Sequence, residues 1–472
     1  MFLKKLTLVF CCSLLPLEAF GLTTVDVVVV GGGAAGLAAA VSAAEHNAKV
    51  VLLEKSSSLG GNAFFSGGYF NAVNPERQKK AGVVDSKELY IEHMLESGGG
   101  KNSPEIVRKL AEESLETMKW LENKGLRFQE LVTESFGGRW RRSYLTLEPD
   151  GQGFIRVLTT DALRRGVQIQ TKAPVKQLLK GEDGRIVGVA YQDEDREEKR
   201  IFATKGVILA AGGFSANPEL IRKIAPELSD LTNDNLAQNT GEVLLSAEQI
   251  GAKLVNMSEI ECLPGARKGS TVRGRLHGDS SRFIFLDSDG KRFIREDAKR
   301  SEIRDAVLKL PGKMAYLVID NSGFKSYSLG IQRDSIRGVE TGDVFRADSI
   351  EEMAEQLKID PSRLKKTIEE YNKCVDMGID PLGKSKEKLL HKIETPPFWG
   401  TYAPMAIHNT LGGLAITQEG KVLDKDGKPI SGLFAAGEIT GMTHGSDRLG
   451  GNGLTEALTF GRISGRACAE LK

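Results

Sequence analysis

The stretch VDVVVVGGGAAGLAAAVSAAEHNAKVVLLEK, residues 25–55, constrains this chain more than any other. Residues 25–30 are a near-continuous β-branched run, the pattern of a strand buried on both faces. Gly31, Gly33 and Gly36 follow as G-x-G-x-x-G, and Ala34–Glu45 reads as a helix of small residues able to pack closely on a sheet. Val50–Leu53 reads as a second strand, ended by Glu54, which stands 21 residues after Gly33. A lone glycine motif says little, but in a strand–turn–helix–strand frame with an acid in place it predicts a dinucleotide site. Glycine lets the backbone approach a pyrophosphate, the helix N-terminus stabilises its charge, and Glu54 can accept from a ribose hydroxyl. Gly31, Gly33, Ala34, Ala35, Gly36, Glu54 and Lys55 are therefore expected to touch a cofactor.

Directly behind this unit comes SSSLGGNAFFSGGYFNA, with Gly60, Gly61, Asn62, Ser66, Gly67 and Gly68 in a second glycine-rich loop. A nicotinamide site does not normally need such a loop, whereas a site for the large isoalloxazine ring of FAD does. Glycine makes up 53 of 472 residues, about 11% against a usual ~7%, so close backbone approach recurs along the chain. Residues 104–125 have helical periodicity and stop at Gly125. GRIVGVAYQD and EKRIFATKGVILAAGGF read as strands around a charged hairpin; the second meets Gly212-Gly213, as a further pass over the cofactor requires. Residues 259–404 are richer in charge and short mixed elements and read as an inserted second domain. The chain then returns with GLFAAGEITGMTHGSDRLGGNGLTEALTFGRISG, a strand ending at Gly437-Glu438, a glycine-rich loop and a helix from about Gly453. The expected layout is a leader at 1–21, a cofactor domain from 22–258 and 405–472, and a cap from 259–404.

Lys and Arg number 64 and Asp and Glu 63, so no basic field marks a nucleic-acid partner. The first residues, MFLKKLTLVFCCSLLPLEAFG, have the form of a secretory signal: Lys4 and Lys5, then an apolar run too short to span a bilayer comfortably, then a cleavage site near Ala19. The alternative is an uncleaved anchor. No later stretch approaches ~18 consecutive apolar residues, so a soluble, periplasmic or secreted mature protein is expected. After cleavage Cys262, Cys374 and Cys468 remain, too scattered for a disulfide framework or a metal site. No haem-attachment motif is present, so electrons must come from elsewhere.

Taken in order, VVVVGGGAAGLAAA, GGNAFFSGG, ILAAGGF, DGKRFIRE with IRDAVL, HNTLGG, FAAGEITG and HGSDRLGGN resemble the flavoprotein subunits of the fumarate reductase/succinate dehydrogenase superfamily. The soluble periplasmic fumarate, urocanate and related enoate reductases are the nearest in pattern, over nearly all of residues 24–472. The resemblance implies an α/β fold: a glutathione-reductase-like, Rossmann-type FAD domain built from both ends of the chain, with an inserted α+β capping domain. It implies noncovalent FAD, because the loop that carries a flavin-linked histidine in the membrane complexes has none here. It extends the expected FAD contacts to Val175, Ala211, Gly212, Gly213, Glu438, Gly453 and Leu454.

The resemblance also assigns roles. His408 of H-x-T-x-G-G, with Thr410, and Arg448 of R-x-G-G-N hold one substrate carboxylate. Arg304, before Asp305, is the expected proton donor, and Arg292, Arg295 and Arg300 are read as solvated or structural. Where fumarate reductases place a histidine for the second carboxylate this chain has Leu263, and Thr271 is followed by Val272 instead of Glu. Asp279 is the nearest acid in spacing from Arg304. The implied substrate is an α,β-unsaturated carboxylate such as urocanate, methacrylate or cinnamate in preference to fumarate, with a periplasmic cytochrome c as external donor. Two other readings stand beside it: a ketosteroid-type flavin dehydrogenase using a tyrosine base, and an FAD electron-transfer subunit of a larger complex.

Overall fold

The computed structural model describes residues 23–270, 272–327 and 329–471. The leader expected at 1–21 and Thr271 lie outside the described residues.

Strand β1 (Thr23–Val30) lies between two parallel neighbours, β2 (Val50–Leu53) and the strand Glu198–Leu209. Val27, Val28 and Val29 are fully buried, as their unbroken β-branched run requires. On the far side of Glu198–Leu209 the sheet adds Pro429–Ala435, drawn from the C-terminal part of the chain. Helix α1 (Ala34–Glu45) covers one face and packs on the C-terminal helix Asn452–Ala469. The contact is close because it is made of small residues: a Cβ on Gly461 would stand 2.4 Å from the Ala35 carbonyl oxygen. Ser42 Oγ donates to the Arg462 carbonyl at 2.7 Å across the same contact. One cofactor fold is thus built from both chain ends.

A second sheet, antiparallel apart from one short parallel pairing, is organised by a 13-residue strand, Phe398–Thr410. It pairs with Ile260–Pro264, Met314–Ile319 and Val344–Ala347, and in parallel with Thr232–Asn233. Helices Ile350–Leu357 and Pro361–Met377 pack their apolar faces on this sheet through Met353, Leu357, Leu364 and Ile368. The arrangement is the expected α+β cap on an α/β domain. The long strand begins in the cap core and ends at Thr410, whose hydroxyl donates to Glu438 of the cofactor domain at 3.1 Å.

Where this strand nears the cofactor domain its pairing slips. Glu261 faces Asn409, but Cys262 faces Ile407, so His408 is an extra, bulged residue. A bulge re-aims one side chain without ending the strand.

Candidate active site

One cavity of about 540 Å³ runs from the Gly31 turn past the Gly60 loop to His408 and Arg448. At its first end the walls are backbone. Gly31 has φ +107°, a conformation closed to most side chains, and a Cβ there would stand 2.3 Å from the Ala210 carbonyl oxygen. Gly33 precedes α1 without a capping side chain, so the first helical N–H groups are left for an anion. Glu54 is aimed by two backbone donors, Gly32 N–H to Oε2 and Ser56 N–H to Oε1, each at 2.7 Å. Asn62 Oδ1 accepts from the Leu236 N–H at 2.9 Å and ties the second glycine loop to the segment below His408.

The cradle residues fit FAD. Gly31, Gly33, Ala34, Ala35, Glu54, Lys55, Gly60, Gly61, Asn62, Ser66, Gly67, Val175, Ala211, Gly212, Glu438, Gly453 and Leu454 all line the cavity. Gly36, Gly68 and Gly213 do not; they are spacers behind the wall. Gly36 lies so close under the turn that a Cβ would be 1.9 Å from the Gly31 carbonyl oxygen. Gly68 is packed on the Asp150 carbonyl, and Gly213 on Thr410 Oγ1 and Glu438. Thr410 is likewise behind the wall, its N–H and Oγ1 both serving Glu438 Oε1.

At the other end the walls are side chains from several segments. Arg448 donates through Nε at 3.0 Å and Nη2 at 2.6 Å to Glu261 Oε2. Arg300 donates through Nη1 to Glu261 Oε1 and through Nη2 to the Phe136 carbonyl. Burial would raise the Glu261 carboxyl, but the two guanidiniums override it and pull it down to about 2. His408 Nδ1 stands 3.7 Å from Asp234 Oδ2, and Arg273 Nη1 pairs with the same oxygen at 2.7 Å. Burial lowers the His408 pKa against the pull of Asp234, so the imidazole is neutral near pH 7. Burial, reinforced by Arg273, takes His277 well below its usual range as well. Ser135 Oγ, His277 Nδ1, Arg300 Nε, His408 Nδ1 and Asn409 Oδ1 are buried without a hydrogen-bond partner. All five residues line the cavity with other atoms, so these unpartnered groups sit just behind its wall.

His408, Arg448 and Leu263 are therefore brought together as expected. Arg304 is not. It does not line the cavity; its Nε donates to Asp305 at 2.8 Å and its Nη1 to the Ile260 carbonyl at 3.0 Å. The reason is helical geometry. Arg300 opens the helix Arg300–Leu308, where its N–H donates to Asp447 at 2.9 Å and its side chain enters the cavity. Arg304 sits one turn on, about 6 Å farther along the axis. Arg300, expected to be solvated or structural, is buried and lines the cavity, whereas Arg292 is clamped between Glu296 and Asp380. Asp279 also stands apart: it accepts from Ser281 and pairs with Arg282 at 3.6 Å. Val272 is buried against Gly338, away from the cavity wall.

Glu261, Asp234, Arg273 and His277 escaped the sequence reading. A carboxylate in an apolar strand, EIECLPG, was the one available signal for Glu261, since such a group needs buried cations.

The chain matches the model of an FAD-binding domain family over residues 26–454 and belongs to that family. It is 34% identical over 417 residues to a probable fumarate reductase of Shewanella frigidimarina, covering 87% of this chain and 69% of that protein. It is 32% identical over 422 residues to an NADH:acrylate oxidoreductase of Vibrio harveyi, covering 86% of this chain but only 41% of that longer protein. Among solved structures, the open conformation of a flavocytochrome c3 fumarate reductase superposes with a TM-score of 0.76 at 32% identity, over 95% of this chain and 78% of that one. The chain is an FAD-dependent oxidoreductase of this family.

Proposed function

We propose that the protein reduces the C=C bond of an α,β-unsaturated carboxylate. The observation that carries this reading is the meeting of Arg448, His408 and Arg300 at the end of a cavity whose other end is an FAD cradle. Its relatives named as a probable fumarate reductase and an NADH:acrylate oxidoreductase act on acids of this class.

When bound and reduced by the external electron donor, the flavin would supply the hydride that adds to the substrate β-carbon. Arg448 spends Nε and Nη2 on Glu261, leaving Nη1 to hold the substrate carboxylate beside the neutral imidazole of His408. Negative charge that develops toward that carboxylate is stabilised by the fixed guanidinium and imidazole N–H groups. Arg300 then gives a proton to the α-carbon, so that one hydride and one proton complete the saturated acid. An arginine is a weak acid, with an ordinary pKa above 12. Arg300 can serve because it lines the cavity, is buried, and is held by Glu261 and Phe136.

FAD is held without a covalent link, since the loop 60–68 offers no histidine. The cap spans 259–404. Residues 1–21 direct export, and electrons come from a separate donor such as a periplasmic cytochrome c. Among the described residues no helix is long and apolar enough to cross a membrane.

The test is oxidation of reduced methyl viologen by the purified holoenzyme with acrylate, methacrylate, urocanate, cinnamate and fumarate in parallel. Turnover on at least one supports the reading. Silence on all five, with flavin bound, overturns it.

A further inference from the structure

We propose that Glu261 is a built-in counter-anion that restricts the site to substrates with a single carboxylate. This deepens the proposed function and rests on it.

Charge balance in the cavity wall carries the inference. Four arginines line the substrate end among the described residues: Arg273, Arg275, Arg300 and Arg448. Arg273 is matched by Asp234 at 2.7 Å. Arg275 is matched by Asp334 at 2.7 Å, with Asp150 at 3.5 Å. Arg300 and Arg448 share one carboxylate, Glu261, with an oxygen for each. Two guanidiniums against one carboxylate leave a single positive charge. Neither His408 nor His277 adds to it, because both are held neutral by burial. Asp447, the next acid, accepts from the Arg300 backbone N–H and forms no ion pair with either guanidinium, so it is left out of this pairing.

One substrate carboxylate, seated on Arg448, completes this balance. A second would find no unmatched cation. It would meet Leu263, which is apolar and buried, and the carboxylates of Asp234 and Glu261. Like charges brought together in a site shielded from water cost several-fold to many-fold in affinity. The rest of the substrate must instead be neutral. It can be apolar against Leu263, which lines the cavity.

Replacing Glu261 by Gln keeps the shape and removes the charge, so the two arginines would then present two unmatched positive charges. The experiment is calorimetric titration of the oxidised holoenzyme with propionate and with succinate, for the native protein, Glu261→Gln and Glu261→Asp. The native protein is expected to bind propionate more tightly than succinate. Glu261→Gln should shift the succinate-to-propionate affinity ratio toward succinate by about tenfold, the effect of one added charge in a shielded site. Glu261→Asp, which keeps the charge, should keep the native order. The native measurement decides even if Glu261→Gln fails to fold: succinate bound as tightly as propionate overturns the proposal. So does a Gln variant with an unchanged ratio. If alkene-dependent dye oxidation stands while succinate is preferred, only this inference falls. If neither acid binds and no alkene is turned over, the proposed function falls with it.

Discussion

The two ends of the cavity are built on different principles. The cofactor end is made largely of backbone: glycines, a bare helix N-terminus and two short loops, most of them within residues 31–67. The substrate end is made of charged side chains from separate segments, with Glu261, Arg300, His408 and Arg448 spread over almost 190 residues of sequence. At the first, a Cβ on Gly31 or Gly36 would collide with backbone. At the second, buried charges are paired one against another. Substitutions should therefore separate them: space at one end governs whether flavin is held, and charge at the other governs what is done with it.

The sharpest break is expected at Gly36, where a side chain would collide with the turn that carries Gly31. Gly36→Val should weaken FAD binding about a hundredfold, equivalent to some 3 kcal/mol of strain. The check is the flavin-to-protein absorbance ratio of the purified variant. An unchanged ratio would mean that the cradle is looser than its geometry.

Next in size is Arg448→Lys. It keeps the charge but loses the forked pair of bonds to Glu261. KM for the unsaturated acid should rise about tenfold to a hundredfold, while flavin content stays native. Loss of flavin instead would show that the two ends are not separable.

The smallest effect is a pH slope. Burial raises the Glu456 carboxyl to about 7, from an ordinary 4.5, on the helix that closes the cradle. A group whose folded pKa is raised stabilises the fold below its unfolded pKa, and that stability is lost as pH climbs through the folded value. Stability should thus fall between about pH 4.5 and 7 by up to ~1.4 kcal/mol per pH unit. Glu456→Gln should flatten that fall in denaturant titrations across the range. Glu261 is opposite in sign: its folded pKa is depressed, so its contribution is present above 4.5 and lost toward pH 2.

The same contrast explains what could be read from sequence. The cofactor end is local, so strand, turn, helix and acid are adjacent and α1 begins and ends where its residues predict. The returning strand that ends at Gly437-Glu438 and the helix after it mark the second part of the cofactor fold, and Gly461 of that helix packs on Ala35 of α1. The substrate end is nonlocal. The motifs around His408 and Arg448 locate those two residues, but which arginine of DGKRFIREDAKRSEIRD enters the cavity depends on where the helix starts. Asp447, about 150 residues away, settles that by accepting from the Arg300 N–H. The R-D pair drew the expected donor to Arg304, one helical turn past the arginine that lines the cavity. Glu261 was obscured for a similar reason: its partners lie 39 and 187 positions away.

The most direct test is methyl viologen oxidation with the best unsaturated acid, comparing Arg300→Ala and Arg304→Ala at native flavin content. The expected result is a loss of about 10²–10⁴-fold in turnover for Arg300→Ala, the usual size of a removed proton donor, and a change within about threefold for Arg304→Ala. An inactive Arg304→Ala beside an active Arg300→Ala would contradict the assignment of the proton donor.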